Sequence, residues 1–335
     1  MKAWRYTEGL GPENLKIVGL PDPVPGPGEA VVRVRACSLN YRDLAVMRGA
    51  YGSGVKAPLI PLSDGAGDVV EVGPGVTRVK PGDRVAAMFM PDWLEGPPDD
   101  VKAHPALGGT VDGMMAEMVC LKAESLVHFP DHLSLEEAAT LPCAAVTAWN
   151  ALFRSGRLIP GESVLLQGTG GVSIFALQFA KLAGARVIAT SGSDAKIERL
   201  KTMGVDAAIN YKTIPDWDKP VRRLTNGVGV DHVVEVGGAG TLPLTSKAVR
   251  RGGHIALIGV LAGRADFDPR LMMLKGARLH GIFVGSREMF EEMNRAIALA
   301  RLRPIIDRVF EFGQLHEALG YLESGAHFGK ICVRV

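Results

Sequence analysis

The sequence predicts a two-domain α/β protein in which a doubly wound parallel sheet is joined to a β-rich domain. From Ser163 onward the chain alternates apolar strands with helix-patterned segments, beginning "SVLLQG", "VSIFALQFAKLAG" and "ARVIAT". That alternation is typical of a parallel sheet covered by helices on both faces. The first ~140 residues instead contain short β-branched runs between turns rich in Gly and Pro. A length of 335 residues also favours two cores over one.

The later elements follow in order along the chain. A widely apolar helix after "LLQGTGG" is predicted to be buried and to end at Gly184, and "SDAKIERLKTMG" is predicted to form a helix capped by Ser193. The stretches "VDHVVEVGG", "GHIALIGV" and "LHGIFVG" are predicted strands. After Ser286 a polar-faced helix ends before Pro304, and "GKICVRV" is the last predicted strand.

Composition excludes several classes of protein. Hydrophobic residues make up 47% of the chain, charged residues 22%, and the formal net charge is +2, without a single-sign stripe for a nucleic acid. The sequence shows neither a signal-peptide pattern nor an apolar run long enough to cross a membrane. The cysteines Cys37, Cys120, Cys143 and Cys332 form no C-x-x-C pair, so we expect reduced thiols in the cytoplasm.

The glycines of "LLQGTGGVS" predict a dinucleotide site. Gly168 suits the tight turn after the strand, Gly170 permits close approach of a pyrophosphate, and Gly171 opens the helix whose free amides bind it. Ser173 stands where the fingerprint has its third glycine, and it is small enough for the helix to pack on the strand. The position between strand and helix strengthens a motif that is weak by itself.

The end of the following strand favours NADPH over NADH. A site that selects NADH usually places an acid there to bind the ribose 2′-hydroxyl, whereas this chain has Ser191. The hydroxyls of Thr190 and Ser191 can donate to a 2′-phosphate, and Lys196 can neutralise it. A shifted register leaves Asp194 as an alternative acid for the ribose.

Several motifs in one order resemble the medium-chain dehydrogenase/reductase superfamily. They are the β-rich N-terminal segment, the text around Val79 to Val85, "LPCAAVTAWNAL" before the glycine loop, and "INYK" after the second helix. The chain is most similar to the zinc-independent, quinone oxidoreductase-like branch. The resemblance implies a GroES-like catalytic domain over 1–143 and 287–335, and a Rossmann domain over 144–286.

The resemblance also places the ligands of a catalytic zinc. In the family's zinc enzymes the ligands stand at positions that correspond here to Asn40, to Ser63 of the pair with Asp64, and to Cys143. Asn40 and Ser63 are poor zinc donors, so we expect no metal site. Ser63 and Asp64 are then interpreted as the remnant of a metal corner, with a structural role.

Without a metal, hydrogen-bond donors must stabilise the charge that develops on a substrate oxygen. The candidates are Asn40, Arg42 at the family's proton-relay position, Tyr41 and Tyr51. Of these, Tyr51 is preferred as the proton donor or the partner of the oxyanion. Asp43 is expected to orient Arg42 or the backbone, and Thr147 to lie beside the nicotinamide. Trp93, in a long loop, is a candidate for the rim of the substrate pocket.

The resemblance implies further cofactor contacts. They are Val172, Tyr211, Gly237, Gly259, Phe283, Val284 and Lys330. The expected function is reduction of a quinone or α,β-unsaturated carbonyl by NADPH. The alternatives are an alcohol dehydrogenase with an altered metal site and a silent NADP-binding protein, crystallin-like or regulatory. We also expect a homodimer, because apolar "LHGIFVG" looks like an edge strand that needs covering.

Overall fold

The computed structural model divides into two compact units. One consists of Met1–Val146 with Val284–Val335, and the other of Thr147–Phe283. The boundaries were expected after residues 143 and 286, and each differs from the observed division by three residues. The structure describes residues 1–51, 54–55, 57–259, 261 and 266–335.

The secondary structure of the described residues is as follows. In chain order the strands are β1 (Lys2–Tyr6), β2 (Leu15–Gly19), β3 (Glu29–Ser38), β4 (Asp64–Val72), β5 (Arg84–Ala87), β6 (Met118–Lys122), β7 (Leu126–His128), β8 (Ser163–Gln167), β9 (Arg186–Ser191), β10 (Ala207–Asn210), β11 (Val230–Glu235), β12 (Val249–Leu257), β13 (Arg278–Gly281), β14 (Ile306–Glu311) and β15 (Lys330–Arg334). The helices are α1 (Tyr41–Met47), α2 (Leu135–Ala139), α3 (Val146–Trp149), α4 (Gly171–Leu182), α5 (Asp194–Thr202), α6 (Asp218–Leu224), α7 (Leu242–Ala248), α8 (Arg270–Lys275), α9 (Arg287–Ala300) and α10 (Leu315–Glu323). Two π-helical segments, Leu141–Ala145 and Asn150–Ser155, flank α3.

The Thr147–Phe283 unit contains the predicted parallel sheet. Within the described part of the chain its strand order is β10-β9-β8-β11-β12-β13, and every pairing is parallel. Leu165 pairs with Ile188 on one side and Val233 on the other, and all three are fully buried. The order reverses between β8 and β11, and ligands of such sheets bind at the carboxyl ends of the strands on either side of this point. The predicted Rossmann fold is confirmed.

The other unit contains a mixed β-sheet, which confirms the GroES-like class. Among the described residues its order is β14-β15-β3-β4-β5-β7, and β6 also pairs with β3. Strands β3 and β4 can cross closely only because Gly67 has no side chain: a Cβ there would lie 2.0 Å from the Arg33 carbonyl oxygen. The last strand, β15, pairs with β3, so the C-terminal segment completes this sheet.

Some elements differ from the sequence predictions. The antiparallel hairpin of β1 and β2 was not predicted, because its alternation is short and is held by the distant contact of Trp4 Nε1 with the Phe312 carbonyl at 2.7 Å. The predicted strand "LHGIFVG" is limited to β13 at the edge of the parallel sheet. Within the described ranges, no helix has the length and apolar character needed to cross a membrane.

Candidate active site

A buried corner forms at the start of β4, where the Ser63-Asp64 pair lies. Leu62 has a left-handed φ of 67°, and the turn is held by the Met114 N–H, which donates to the Leu62 carbonyl at 2.8 Å. The Asp64 carboxylate is completely shielded from solvent. It accepts from Ser63 Oγ at 2.7 Å, from the Cys143 N–H at 3.2 Å and from Ser38 Oγ at 3.4 Å. Since these donors satisfy the carboxylate, Asp64 ties three segments of chain together.

Lys330 brings a positive charge into the same corner. Its side chain is 3% exposed, and its Nζ donates to the Leu39 carbonyl and to Asn40 Oδ1, both at 2.6 Å. Nζ also lies 4.0 Å from Asp64 Oδ2. The resemblance implied a cofactor contact for Lys330. The structure gives its ammonium three oxygen neighbours inside the Met1–Val146 and Val284–Val335 unit, and the cofactor contact stays a prediction.

Helix α1 presents the predicted catalytic residues around this corner. Asp43 accepts from the Asn40 backbone N–H at 2.7 Å, which fixes the start of the helix. Arg42 Nη1 donates to the carbonyls of Leu107 and Gly108 at 2.8 and 3.1 Å and lies 3.4 Å from Asp43. The orienting contact expected between Asp43 and Arg42 is therefore present.

Two aromatic rings enclose the Arg42 guanidinium. It lies 4.5 Å from the centre of the Tyr51 ring and 4.9 Å from that of Phe89. Burial raises the pKa of the Tyr51 phenol above its usual value, against the opposing effect of Arg42, so this hydroxyl keeps its proton. The sequence analysis missed Phe89, which lies in the apolar run "VAAMFM" and carried no separate signal.

The donor set of this corner is poor for zinc. Of the three ligand positions that the resemblance implies, Cys143 alone supplies a thiol. Asn40 and Ser63, at the other two ligand positions, supply neutral oxygens. In the described ranges, no group of three or more His, Cys, Asp or Glu side chains is placed to hold a metal ion.

Asp43 gives the site a pH-dependent stability. Its pKa is raised from 3.8 to about 6, chiefly by burial, which outweighs the effect of Arg42. Because the folded carboxyl binds its proton more tightly than the unfolded one, the contribution of Asp43 to stability falls as the pH rises through this window. We expect the free energy of unfolding of the wild type, minus that of Asp43→Asn, to fall by roughly 1–3 kcal/mol between about pH 4 and pH 6. Urea denaturation at several pH values measures it; a constant difference would contradict the raised pKa.

In the Thr147–Phe283 unit, the glycine loop has the geometry of a phosphate cradle. Gly168 has a φ of +71°, which favours glycine, and its N–H donates to the Thr190 carbonyl at 2.8 Å. Gly170 precedes α4 with a φ of −76°, and a Cβ there would meet no protein atom within 4 Å. Ser173 is buried, and its Oγ donates to the Gln167 carbonyl at 2.6 Å, which explains why a serine fits the third position. Gly171 and Val172 form the first turn of α4.

Two of the candidate 2′-phosphate residues, Ser191 and Tyr211, lie next to Gly192. A Cβ at Gly192 would lie 2.6 Å from the Tyr211 hydroxyl oxygen, and the Tyr211 N–H donates to the Ser191 carbonyl at 3.1 Å. Thr190 and Ser191 end β9, and Lys196 lies in the first turn of α5. The alternative acid, Asp194, accepts from Asn210 Nδ2 at 2.7 Å.

The remaining residues that the sequence predicted for the site lie outside the buried corner and the glycine loop. Gly259 is required by the fold itself, since a Cβ would lie 2.0 Å from the Val236 carbonyl oxygen. Thr147 is buried in α3, Phe283 is 51% exposed, and Val284 has a φ of 62° at the junction of the two units. The roles of these residues stay predictions. Trp93 is buried, and its indole N–H donates to the Gly96 carbonyl at 2.8 Å, so the expectation that it rims a pocket is wrong.

A buried carboxylate beside the predicted cofactor residues was missed. Glu235 ends β11 and is fully shielded from solvent. It accepts from the N–H groups of Gly237 and Gly238, both at 2.9 Å, and from Gln167 Nε2 at 2.6 Å. Gly237, a predicted cofactor contact, is thereby held in place. The signal was a lone acid in the apolar run "VVEVGG".

Comparisons with known proteins show the family. The "Alcohol dehydrogenase GroES-like domain" family matches residues 26–131, and the "Zinc-binding dehydrogenase" family matches residues 171–299. The chain is 47% identical over 317 residues to a zinc-type alcohol dehydrogenase-like protein of Schizosaccharomyces pombe, covering 92% of this chain and 91% of the relative.

Two further similarities also extend along nearly the whole chain. An acryloyl-coenzyme A reductase of Metallosphaera sedula is 30% identical over 330 residues, covering 95% of this chain and 96% of the relative. The crystal structure of an NAD-dependent alcohol dehydrogenase is 36% identical with a TM-score of 0.90, covering 100% of each chain. With its GroES-like and Rossmann units, the chain belongs to the medium-chain dehydrogenase/reductase superfamily of pyridine-nucleotide oxidoreductases.

Proposed function

We propose that the protein is an NAD(P)H-dependent reductase of quinones or α,β-unsaturated carbonyl compounds that uses hydrogen-bond donors in place of zinc. The observation that carries the proposal is a group of unused donors in the corner. Asn40 Nδ2 and the Arg42 Nε and Nη2 atoms are buried and have no hydrogen-bond partner among the residues that the structure describes. An unpaired buried donor costs about 1–3 kcal/mol, which a substrate oxygen would recover.

The chemistry explains the preferred substrates. When bound, a reduced nicotinamide supplies a hydride, which carries two electrons to an electrophilic carbon of the substrate. The chain must then stabilise the negative charge on the substrate oxygen and provide one proton. Hydrogen bonds from amide and guanidinium groups stabilise this charge less than zinc does as a Lewis acid. They therefore favour substrates that already delocalise the charge, such as quinones and enones.

Tyr51 is the proposed proton donor. Its raised pKa keeps the phenol protonated, and the Arg42 guanidinium against its ring favours the phenolate that forms when the proton leaves. Asp43 orients Arg42 and the start of α1. Thr147 remains a proposed neighbour of the nicotinamide.

The names of the relatives support two chemistries. Acryloyl-coenzyme A, the substrate in the name of the Metallosphaera sedula relative, is an α,β-unsaturated thioester, which favours the enone proposal. The Schizosaccharomyces pombe relative is named zinc-type, which favours an alcohol dehydrogenase with an altered metal site. A silent cofactor-binding protein is the third possibility.

Turnover and metal content separate these functions. We expect the purified protein to reduce a simple quinone or enone with NADPH, to contain far less than one zinc per chain, and to keep its activity in EDTA. Alcohol oxidation that needs stoichiometric zinc and is lost in Cys143→Ala would favour the altered metal site. Tight cofactor binding without turnover on any quinone, enone or alcohol would favour the silent protein.

Cofactor selectivity tests the 2′-phosphate site. Because Ser191 and Tyr211 adjoin Gly192, Lys196 lies in the first turn of α5, and Asp194 is bonded to Asn210, we expect NADPH to bind at least about tenfold more tightly than NADH. Ser191→Asp should reverse the preference by repelling the phosphate. Lys196→Ala should weaken NADPH alone. Calorimetric titration of both cofactors measures this, and an equal loss for both cofactors in Lys196→Ala would return Asp194 to the role of ribose acid.

A homodimer also stays a proposal. Strand β13 lies at the edge of the parallel sheet, and Leu279 within it is 40% exposed. An open edge strand of this kind is a natural surface for pairing with a second copy.

A further inference from the structure

Lys330 and Asn40 form a buried contact that allows only one orientation of the Asn40 carboxamide. The ammonium can only donate, so the oxygen of the Asn40 carboxamide must face it. The observed distance of 2.6 Å from Nζ to Oδ1 agrees with a charge-assisted hydrogen bond. The opposite orientation would place two donors against each other. The amide nitrogen of Asn40 is therefore directed away from Lys330.

The amide nitrogen of Asn40, Nδ2, donates no hydrogen bond within the described part of the chain. Asn40 is 9% exposed, its Nδ2 is shielded from water, and no described residue accepts from it. The neighbouring carboxylates are already engaged: Asp43 by the Asn40 backbone, and Asp64 by Ser38, Ser63 and Cys143. A buried side chain held rigidly with an unpaired donor is organised to bind an acceptor that comes from outside the chain.

We infer that Lys330 is a positioning residue, which holds Asn40 so that Nδ2 donates to the carbonyl oxygen of the substrate. This inference rests on the proposed reductase function. The positive charge of the Lys330 ammonium beside Oδ1 also polarises the amide and makes its N–H a stronger donor. The Lys330 cation thus lies on one side of the Asn40 amide, and the substrate oxygen would lie on the other. Asp64, 4.0 Å from Nζ, balances the positive charge of Lys330.

A double-mutant cycle on Lys330 and Asn40 tests the inference. Asn40→Ala should lower kcat about 100-fold, as loss of one oxyanion donor does, and Lys330→Met about 10- to 100-fold. Because Lys330 acts through Asn40, Lys330→Met should have no further effect in the Asn40→Ala background. Lys330→Gln, whose amide can still donate to Oδ1, should recover part of the activity. Lys219→Met, at an exposed lysine of α6, is the matched control and should behave as wild type.

The cofactor readout separates this role from direct cofactor binding. The Kd for NADPH should change less than about threefold in Lys330→Met. Multiplicative losses in kcat, or a raised Kd for NADPH with kcat unchanged, would overturn the inference and return Lys330 to the cofactor contacts.

An NMR measurement does not depend on turnover. In protein labelled with ¹⁵N-asparagine, the Asn40 side-chain amide, assigned by its absence from Asn40→Ala, should shift in Lys330→Met and only slightly in Lys330→Gln. Lys219→Met should leave it unchanged. If no substrate is turned over but the amide shifts in this way, the reductase proposal fails while the Lys330–Asn40 contact stands. An unchanged amide signal in Lys330→Met would overturn the contact itself.

Discussion

Gly170→Ala should weaken the binding of NADPH and NADH by 100-fold or more, about 3 kcal/mol, while the protein remains folded. The φ of −76° suits alanine, and the added Cβ would meet no protein atom within 4 Å. Nothing in the described fold therefore requires glycine at this position. The requirement comes from the pyrophosphate, which must approach the backbone at the start of α4 more closely than a methyl group allows.

Two other glycines give matched controls for this experiment. Gly320→Ala, in the interior of α10, also has no atom within 4 Å of its added Cβ; it should leave cofactor affinity unchanged and raise stability by about 0.5–1 kcal/mol, because alanine favours the helix. Gly259→Ala brings its Cβ to 2.0 Å from the Val236 carbonyl and should lower the melting temperature. Fluorescence titration and thermal unfolding of the three variants would discriminate these effects. A Gly170→Ala protein that binds NADPH normally would show that the pyrophosphate does not lie on this loop.

Glu235→Leu should destabilise the Thr147–Phe283 unit by at least about 3 kcal/mol, because several buried donors lose their common acceptor at once. The carboxylate joins the end of β8, the loop after β11 and the start of α7. The donors are Gln167 Nε2, the N–H groups of Gly237 and Gly238, Thr241 Oγ1 and Thr245 Oγ1.

Two matched variants separate the effect of losing the Glu235 hydrogen-bond acceptor from the effect of removing its negative charge. Glu235→Gln keeps one side-chain oxygen and should cost about 1–2 kcal/mol. Glu198→Leu, at an exposed position of α5, should change stability by less than about 0.5 kcal/mol. Urea denaturation gives the three values. Equal stabilities for Glu235→Leu and the wild type would mean that the donors find other partners.

The sequence predictions were correct for elements fixed by interactions between residues close in sequence, and they failed for those fixed by distant contacts. The strands and helices of the parallel sheet were predicted because each has its own periodicity and stop signal, as in "VSIFALQFAKLAG" with Gly184. The β1–β2 hairpin was not, since it depends on the contact of Trp4 with Phe312, 308 residues away. The position of Trp93 could not be predicted either, because it depends on the conformation that brings the Gly96 carbonyl to its indole N–H.

The sequence by itself determined the fold class, because the periodicity and stop signals of each element depend on residue types at short spacings. It also predicted the glycine cradle from its motif and, through the family resemblance, the replacement of zinc ligands by Asn40 and Ser63. Only the tertiary structure decided how the corner is built. Lys330 reaches Asn40 across 290 residues of chain, and pairing of β15 with β3 brings the two together. The orientation of the Asn40 amide depends on that one ammonium. A contact between residues so distant in sequence leaves no periodic or local pattern, so it is visible only after the sheet has formed.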